Sequence, residues 1–276
     1  MIELPEAQTL AHQITQQLSG KTILSSAAAQ SPHKFAWYHA DPAGYPAKLN
    51  GGKVLAARGI GMFMEITLSS ATLLFSDGVN LRLHPAAGLI PAKHQLLLNF
   101  EDGSSLSASV AMYGGVVCWA EGENYENSYY ATALSKPSPL TDAFDEAYFL
   151  ALLAPDAVRK LPLKAALATE QRVPGLGNGC LQDILWEAHL HPRKKLSALT
   201  EQELHQLYLS LKLILLEMTK AGGRSTEKDL FGQPGGYRVR LCAESNGKPC
   251  PRCGTTIVKE AYLGGSVYTC PTCQKL

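Results

Sequence analysis

The chain has 276 residues, 46% hydrophobic and 18% charged, with a formal net charge of +1. It can bury one large or two ordinary cores, and its composition excludes a disordered polyelectrolyte, a strongly basic nucleic-acid coat and an acidic tail. The longest greasy stretch, Leu211 to Met218, is broken by Lys212 and Glu217, and Glu3 and Glu6 come too early for a signal peptide. Neither a membrane span nor a leader is therefore expected.

In chain order, residues 4–18 predict a helix. Pro5 suits its first turn, Glu6 its positive end, and Ala7, Leu10, Ile14 and Leu18 mark one face. Residues 22–118 read as all-β, with short apolar runs (Val54–Ala57, Met62–Leu68, Thr72–Phe75, Gln95–Phe100, Ser105–Met112) between turn signals such as Ser76-Asp77-Gly78. Residues 120–140 are polar and read as a linker. Helices are expected over 142–153, capped by Thr141, over 163–172 and over 179–188. A further helix runs from the Thr200/Glu203 capping box to about Lys220, closed by Gly222-Gly223. The fold class is α+β, and the expected domains are 1–130, a helix on a β-sandwich; 131–240, helical; and 241–276, a small cysteine module. Residues 1–130 hold 7 Lys+Arg and 10 Asp+Glu, and residues 131–276 hold 18 and 14, so a polyanion partner should lean on the second half.

Four of the seven cysteines form Cys250-x2-Cys253-x16-Cys270-x2-Cys273. Each pair places two thiolates on a tight knuckle, and four thiolates suit a tetrahedral Zn²⁺ with no open position, hence a structural rather than catalytic metal. The intervening segment, with Gly264-Gly265 at its middle, suits a hairpin. The odd count and the paired spacing speak against a secreted disulfide framework. Cys118, Cys180 and Cys242 read as packing residues.

Gln171-Arg172-Val173-Pro174-Gly175-Leu176-Gly177-Asn178 separates two helical stretches. Its glycines allow a tight turn whose amides face an anion at the next helix start, with Asn178 as cap or phosphate donor; a plain helix–turn–helix joint is the alternative. Ser31-Pro32-His33-Lys34-Phe35-Ala36-Trp37-Tyr38 is an aromatic-basic stretch that either stacks a base or packs on the sandwich, the latter being preferred.

Together, Glu3-Leu4-Pro5-Glu6, Lys93-His94, Gly175-Leu176-Gly177-Asn178 with His191-Pro192, and Gly247-Lys248-Pro249-Cys250 with the cysteine hairpin resemble the Fpg/Nei family of formamidopyrimidine-DNA glycosylases and endonuclease VIII-like enzymes. The resemblance runs from residue 3 to Gln274. It implies an N-terminal helix on a β-sandwich, a helix–two-turn–helix domain and a zinc finger, with double-stranded DNA, damaged or abasic, between the halves, and a cytoplasmic, nucleoid-associated monomer. It also implies that His94, Arg159 and Asn178 contact phosphates, with Lys160, Lys164 and Gly177 nearby, and that Arg224 lies on a lesion-contacting loop.

The family's catalytic set is altered. Family members begin Met-Pro-Glu and attack C1′ with the freed proline amine, whereas position 2 here is Ile2, which disfavours methionine removal. The catalytic candidates are therefore Met1, Ile2 and Glu3, with the amine at Met1 or, after processing, Ile2. The family's strand lysine falls at Ile60, its finger arginine at Gly265, and its gap-filling loop at Ser109–Gly114. The resemblance thus implies a repair protein of DNA glycosylase/AP lyase type with altered or weak activity, the alternative being a silent lesion- or structure-binding protein.

Overall fold

The structure, a computed structural model, describes residues 1–276. The leading helix α1 (Leu4–Leu18) is held at its start by the Glu6 carboxylate, which accepts from the Glu3 amide at 3.2 Å. There follow β1 (Ile23–Ala28), β2 (Ala36–Trp37), α2 (Tyr45–Leu49), β3 (Val54–Ile60), β4 (Phe63–Leu68), β5 (Ala71–Ser76), β6 (Val79–His84), β7 (Leu96–Phe100), β8 (Ser105–Val110) and β9 (Gly114–Ala120). They form a four-stranded sheet, β1-β7-β8-β6, and a five-stranded sheet, β2-β9-β5-β4-β3, in which β2 runs parallel to β9. One face of α1, through Leu10, Ile14 and Leu18, joins the core between the sheets. The expected sandwich is present, with β1, β2, β6 and β9 added to the runs read from the sequence.

The expected linker is corrected in part: α3 (Ser128–Ser135) occupies it. Asn127 caps this helix by accepting from the Tyr130 amide at 2.9 Å, and Tyr130 and Ala133 pack beside Phe63, Leu74 and Val117 of the five-stranded sheet. Polar flanks hid a short helix that one aromatic face ties down, and the boundary expected at 130/131 falls inside it.

The helical half holds α4 (Glu146–Leu153), α5 (Asp156–Arg159), α6 (Leu163–Ala168), α7 (Asn178–Glu187) and α8 (Glu201–Lys220) around a second apolar core. Asp145, not Thr141, caps α4, accepting from the Tyr148 amide at 2.7 Å. Helix α6 stops at Ala168 because Glu170 and Gln171 take left-handed backbone angles, φ 57° and 46°. The Thr200/Glu203 capping box opens α8 as expected. Finally, β10 (Val258–Tyr262) and β11 (Gly265–Thr269) form the hairpin between the cysteine pairs. No helix is long and apolar enough to cross a membrane.

One segment crosses between the halves. After α8 the chain returns to the sandwich, where Leu230 is fully buried in the first core and Gln13 of α1 donates to Asp229 at 2.9 Å. It then re-enters the helical half at Tyr237. Thus Ile2 and Glu3 are enclosed from both sides, while Met1 stays exposed.

Candidate nucleic-acid interface and its buried charge cluster

Two main-chain hydrogen bonds fix the N-terminus: the Ile2 amide donates to Asp77 O at 2.6 Å, and the Leu4 amide to Gly175 O at 2.9 Å. Ile2 is buried in the sandwich core. Glu3 is therefore pushed, 2% exposed, against the start of α7. There Gly179 N donates to Oε1 at 2.8 Å, while Cys180 N and Gly177 N donate to Oε2 at 2.9 and 3.1 Å. The anion that this glycine turn was expected to face is Glu3 itself. Helix starts favour negative charge because their amides are unpaired and their dipole is positive.

Glycine is needed here. Gly175 has φ +78°, and a Cβ on it would sit 2.6 Å from the Gly61 carbonyl carbon. A Cβ on Gly179 would fall 2.8 Å from Glu3 Oε1 and inside the Arg224 guanidinium.

Arg224 completes the cluster. It is 3% exposed, and its Nη1 donates to Glu3 at 3.1 Å, Nε and Nη2 to Glu6 at 3.0 and 2.8 Å, and Nη2 to Met1 O at 3.0 Å. The Met1 α-amine forms an ion pair with Glu227. Burial opposes ionisation of Glu3, but Arg224 and the amides of Cys180 and Gly179 outweigh it and hold the carboxyl below its ordinary range. Arg224 in turn stays charged because the carboxylates of Glu3 and Glu6 offset its desolvation.

This corrects the expectation for Arg224. It is no exposed DNA contact but an internal clamp, because its loop folds back between the halves and leaves the guanidinium nowhere to reach solvent. Sequence reasoning missed Glu6 and Glu227 as its partners; the i,i+3 spacing of Arg224 and Glu227 was the available signal.

The hairpin tip meets the same corner. Asn178 Nδ2 donates to Ser266 O at 3.0 Å, and Lys164 Nζ to Tyr262 O at 2.6 Å. A Cβ on Gly265 would stand 3.4 Å from Lys164 Nζ and 3.8 Å from Asn178 Nδ2, so this fingertip is open where two side-chain donors converge. Burial lowers the pKa of Lys164. Asn178 Oδ1 is buried without a partner. The structure thus brings Met1, Ile2, Glu3, Gly177, Asn178 and Arg224 together.

Other candidates stand elsewhere. Ile60, at the family's lysine position, packs into the apolar cluster of Phe63, Leu74 and Tyr130. His94 is buried, its Nδ1 paired with Pro91 O at 2.9 Å and its Nε2 unpartnered, so its ring is not displayed on the surface. Arg159 and Lys160 are exposed at the end of α5.

The sulfur atoms of Cys250, Cys253, Cys270 and Cys273 all lie within 4.8 Å of one another. Neighbouring pairs are 3.4–3.9 Å apart. A tetrahedral Zn²⁺ with bonds of about 2.3 Å needs sulfur pairs about 3.8 Å apart, so the residues fit the ion. Trp186 Nε1 of α7 donates to Cys250 Sγ at 3.4 Å, an outer hydrogen bond of the kind that orients a ligand.

Residues 136–229 match the formamidopyrimidine-DNA glycosylase H2TH domain, and residues 247–276 match the zinc finger found in FPG and IleRS. A formamidopyrimidine-DNA glycosylase of Chloroflexus aggregans is 29% identical, with 100% of this chain and 99% of the relative covered. One from Thermus thermophilus is 27% identical over 99% and 98%. Among solved structures, the MutM (Fpg) protein of Thermus thermophilus has a TM-score of 0.80 at 25% identity, covering 99% of this chain and 98% of that one. Lactococcus lactis Fpg in complex with abasic-site DNA has a TM-score of 0.81 at 24% identity, covering 99% and 100%.

The chain is similar to Fpg proteins over its whole length, and two of its segments match the Fpg H2TH domain and the zinc finger found in FPG and IleRS. The Fpg/Nei fold accounts for the meeting of N-terminus, H2TH turn and zinc hairpin in one corner, and its four thiolates hold a structural Zn²⁺.

Proposed function

We propose that this Fpg-like chain is a cytoplasmic, DNA-binding base-excision-repair protein of DNA glycosylase/AP lyase type whose chemistry is attenuated. The supporting relatives are formamidopyrimidine-DNA glycosylases, and one similar structure holds abasic-site DNA. The organisation we infer has three parts, with the first boundary after α3.

The observation that carries the attenuation is the saturation of Glu3. Four donors, three amides and Arg224, occupy both its oxygens and keep it ionised. A carboxylate so held has no proton to give and little basicity with which to take one. The Met1 amine is left as the nucleophile of this corner. It can condense with the aldehyde of a ring-opened abasic sugar, water leaving, but its ion pair with Glu227 must first open and its proton depart. Ile60 and Gly265 bring no charge to the later elimination steps. Ile2 is a weaker candidate, because its nitrogen is buried against Asp77 O.

Binding falls to groups that Glu3 leaves free: Asn178 and Lys164 at the hairpin tip, and the exposed Arg159 and Lys160. The amides of α7 are taken. We therefore expect modest affinity for duplex DNA that falls steeply with salt, and Asn178→Ala should weaken binding to every sequence alike. Fluorescence anisotropy on an abasic and a paired duplex across a salt series tests this. Absence of binding at low salt, or indifference to Asn178→Ala, would refute it.

A further inference from the structure

At the far end of α7, the last turn of α8, the returning segment and the start of the zinc module border a cleft of about 1100 Å³ that the function above does not use. Four cations line it, Lys220, Arg238, Arg240 and Lys248, against two carboxylates, Glu217 and Glu244. Lys220, Arg238 and Lys248 are exposed and belong to no ion pair of the chain. The cleft lies away from the corner where Met1 and Asn178 meet. Arg240 sits over Trp186, and the path along α7 from Asn178 to Trp186 is about 12 Å.

Arg240 is fixed in place but not satisfied. Its amide donates to Asp183 at 2.9 Å, and its guanidinium lies 5.3 Å from the Trp186 ring and 5.6 Å from that of Tyr237. Yet Nη1 is buried without an acceptor. The carboxylates of Glu187 and Glu217 stand 3.8 Å from the guanidinium, beyond hydrogen-bond length, and Glu187 already accepts from Arg252 at 3.0 Å. An anion that supplies the missing acceptor is therefore favoured. The opposite wall is equally fixed: the Lys248 amide donates to Ser245 O at 3.0 Å and its carbonyl accepts from Ile257 at 2.9 Å, two residues before Cys250.

The cleft selects more than charge. Ala221, Pro249 and Pro251 are exposed along it and Val239 is half-buried, so apolar surface lies between the cations. Nucleic acid fits such a wall poorly. A phosphate backbone has no side chain to lay on proline and valine, and a single strand stacks its bases on ring faces. Here the Trp186 ring is taken by Arg252 at 3.9 Å and by Arg240. The volume also exceeds the roughly 300–1,000 Å³ typical of small-molecule pockets. We propose that this cleft binds an acidic segment of a partner protein, its carboxylates on Arg238, Arg240 and Lys248 and its aliphatic side chains on Val239 and Pro249. The proposal stands apart from the DNA-binding reading above, and no covalent step is involved.

The test titrates the zinc-loaded full chain into a fluorescein-labelled peptide, Glu-Leu-Asp-Glu-Ile-Asp-Leu-Glu, followed by anisotropy across a salt series. The peptide should bind, and lose affinity as salt rises. Arg238→Glu and Lys248→Glu should each weaken it about tenfold, because each exchanges an attraction for a repulsion, with zinc content and circular dichroism unchanged. The same peptide with Gln and Asn for its acids should not bind, and one with Ser for Leu and Ile should bind several-fold more weakly. A short oligothymidine should not displace the labelled peptide. No binding at low salt, binding that both charge reversals leave unchanged, or equal binding of the amide peptide overturns the proposal. Displacement by oligothymidine, or full binding of the serine peptide, would mark a general polyanion surface and overturns it equally.

Discussion

Helix α7 is gripped at its two ends in opposite ways. At its start the N-terminus of the chain docks by charge: Glu3 takes three amides and shares Arg224 with Glu6. Towards its end the C-terminal module docks by metal and rings. Trp186 donates to Cys250 and lies under the Arg252 guanidinium at 3.9 Å, while Asp183 accepts from the Tyr237 hydroxyl and the amides of Arg240 and Leu241. The two attachments differ in what they cost. Four thiolates on Zn²⁺ release folding energy that a module of this size cannot find in its own core. A buried guanidinium with two buried carboxylates must first offset its own desolvation, so its value lies in fixing one geometry rather than in net stability. The finger is thus held together by its ion, whereas the N-terminal corner is held in place by mutual satisfaction of charges.

Breaking the metal end should have the larger effect. Cys253→Ser, or a strong chelator, should unfold residues 247–276 and free Trp186 from its sulfur partner, seen as a loss of protected amides in that segment by hydrogen exchange. Purified protein without zinc would contradict this. At the other end, Arg224→Met leaves Glu3 and Glu6 buried without their cation and should cost about 3–5 kcal/mol in urea unfolding. Adding Glu3→Gln and Glu6→Gln to that variant should return much of the loss, which separates the cost of an orphaned charge from the worth of the cluster.

The pH dependence sharpens the same comparison. The folded-state pKa of Glu3 lies below its unfolded value, so its contribution is fully present above the ordinary carboxylate range. It is lost as pH falls through the lower, folded value. Acid should therefore destabilise the wild type more steeply than Glu3→Gln below about pH 4. Asp77 gives the smallest effect and the opposite sign. Burial raises its pKa against the pull of Ser76 and the nearby N-terminal amine, so its ionised form is a mild burden at neutral pH. Asp77→Asn should raise the melting temperature at pH 7 by about 1–2 °C, for about 1 kcal/mol or less.

What the sequence made legible follows the same divide. The cysteine spacing states its geometry outright, since two knuckles and a hairpin leave the sulfurs little choice. The face of α1 and the Thr200/Glu203 box were readable because their signals are local. Arg224 was not, because its partners are 221 and 218 residues away and only the fold-back of its loop decides that it points inward. Helix α3 escaped notice because its stability comes from Tyr130 and Ala133 against a sheet, not from its own composition. Likewise the glycine turn was read as anion-facing, but nothing local told that the anion is the chain's own Glu3.

On the function proposed above, a Met1 amine beside a saturated Glu3 retains at most slow chemistry on a DNA-binding scaffold. Borohydride trapping on abasic duplex DNA tests it most directly, with the mature N-terminus identified by mass spectrometry. The expected result is a covalent adduct that accumulates slowly, is lost when the α-amine is blocked, and is accompanied by little or no release of oxidised purines. Rapid excision of an oxidised purine would contradict the attenuation, and the absence of any adduct would leave a protein that binds DNA without chemistry.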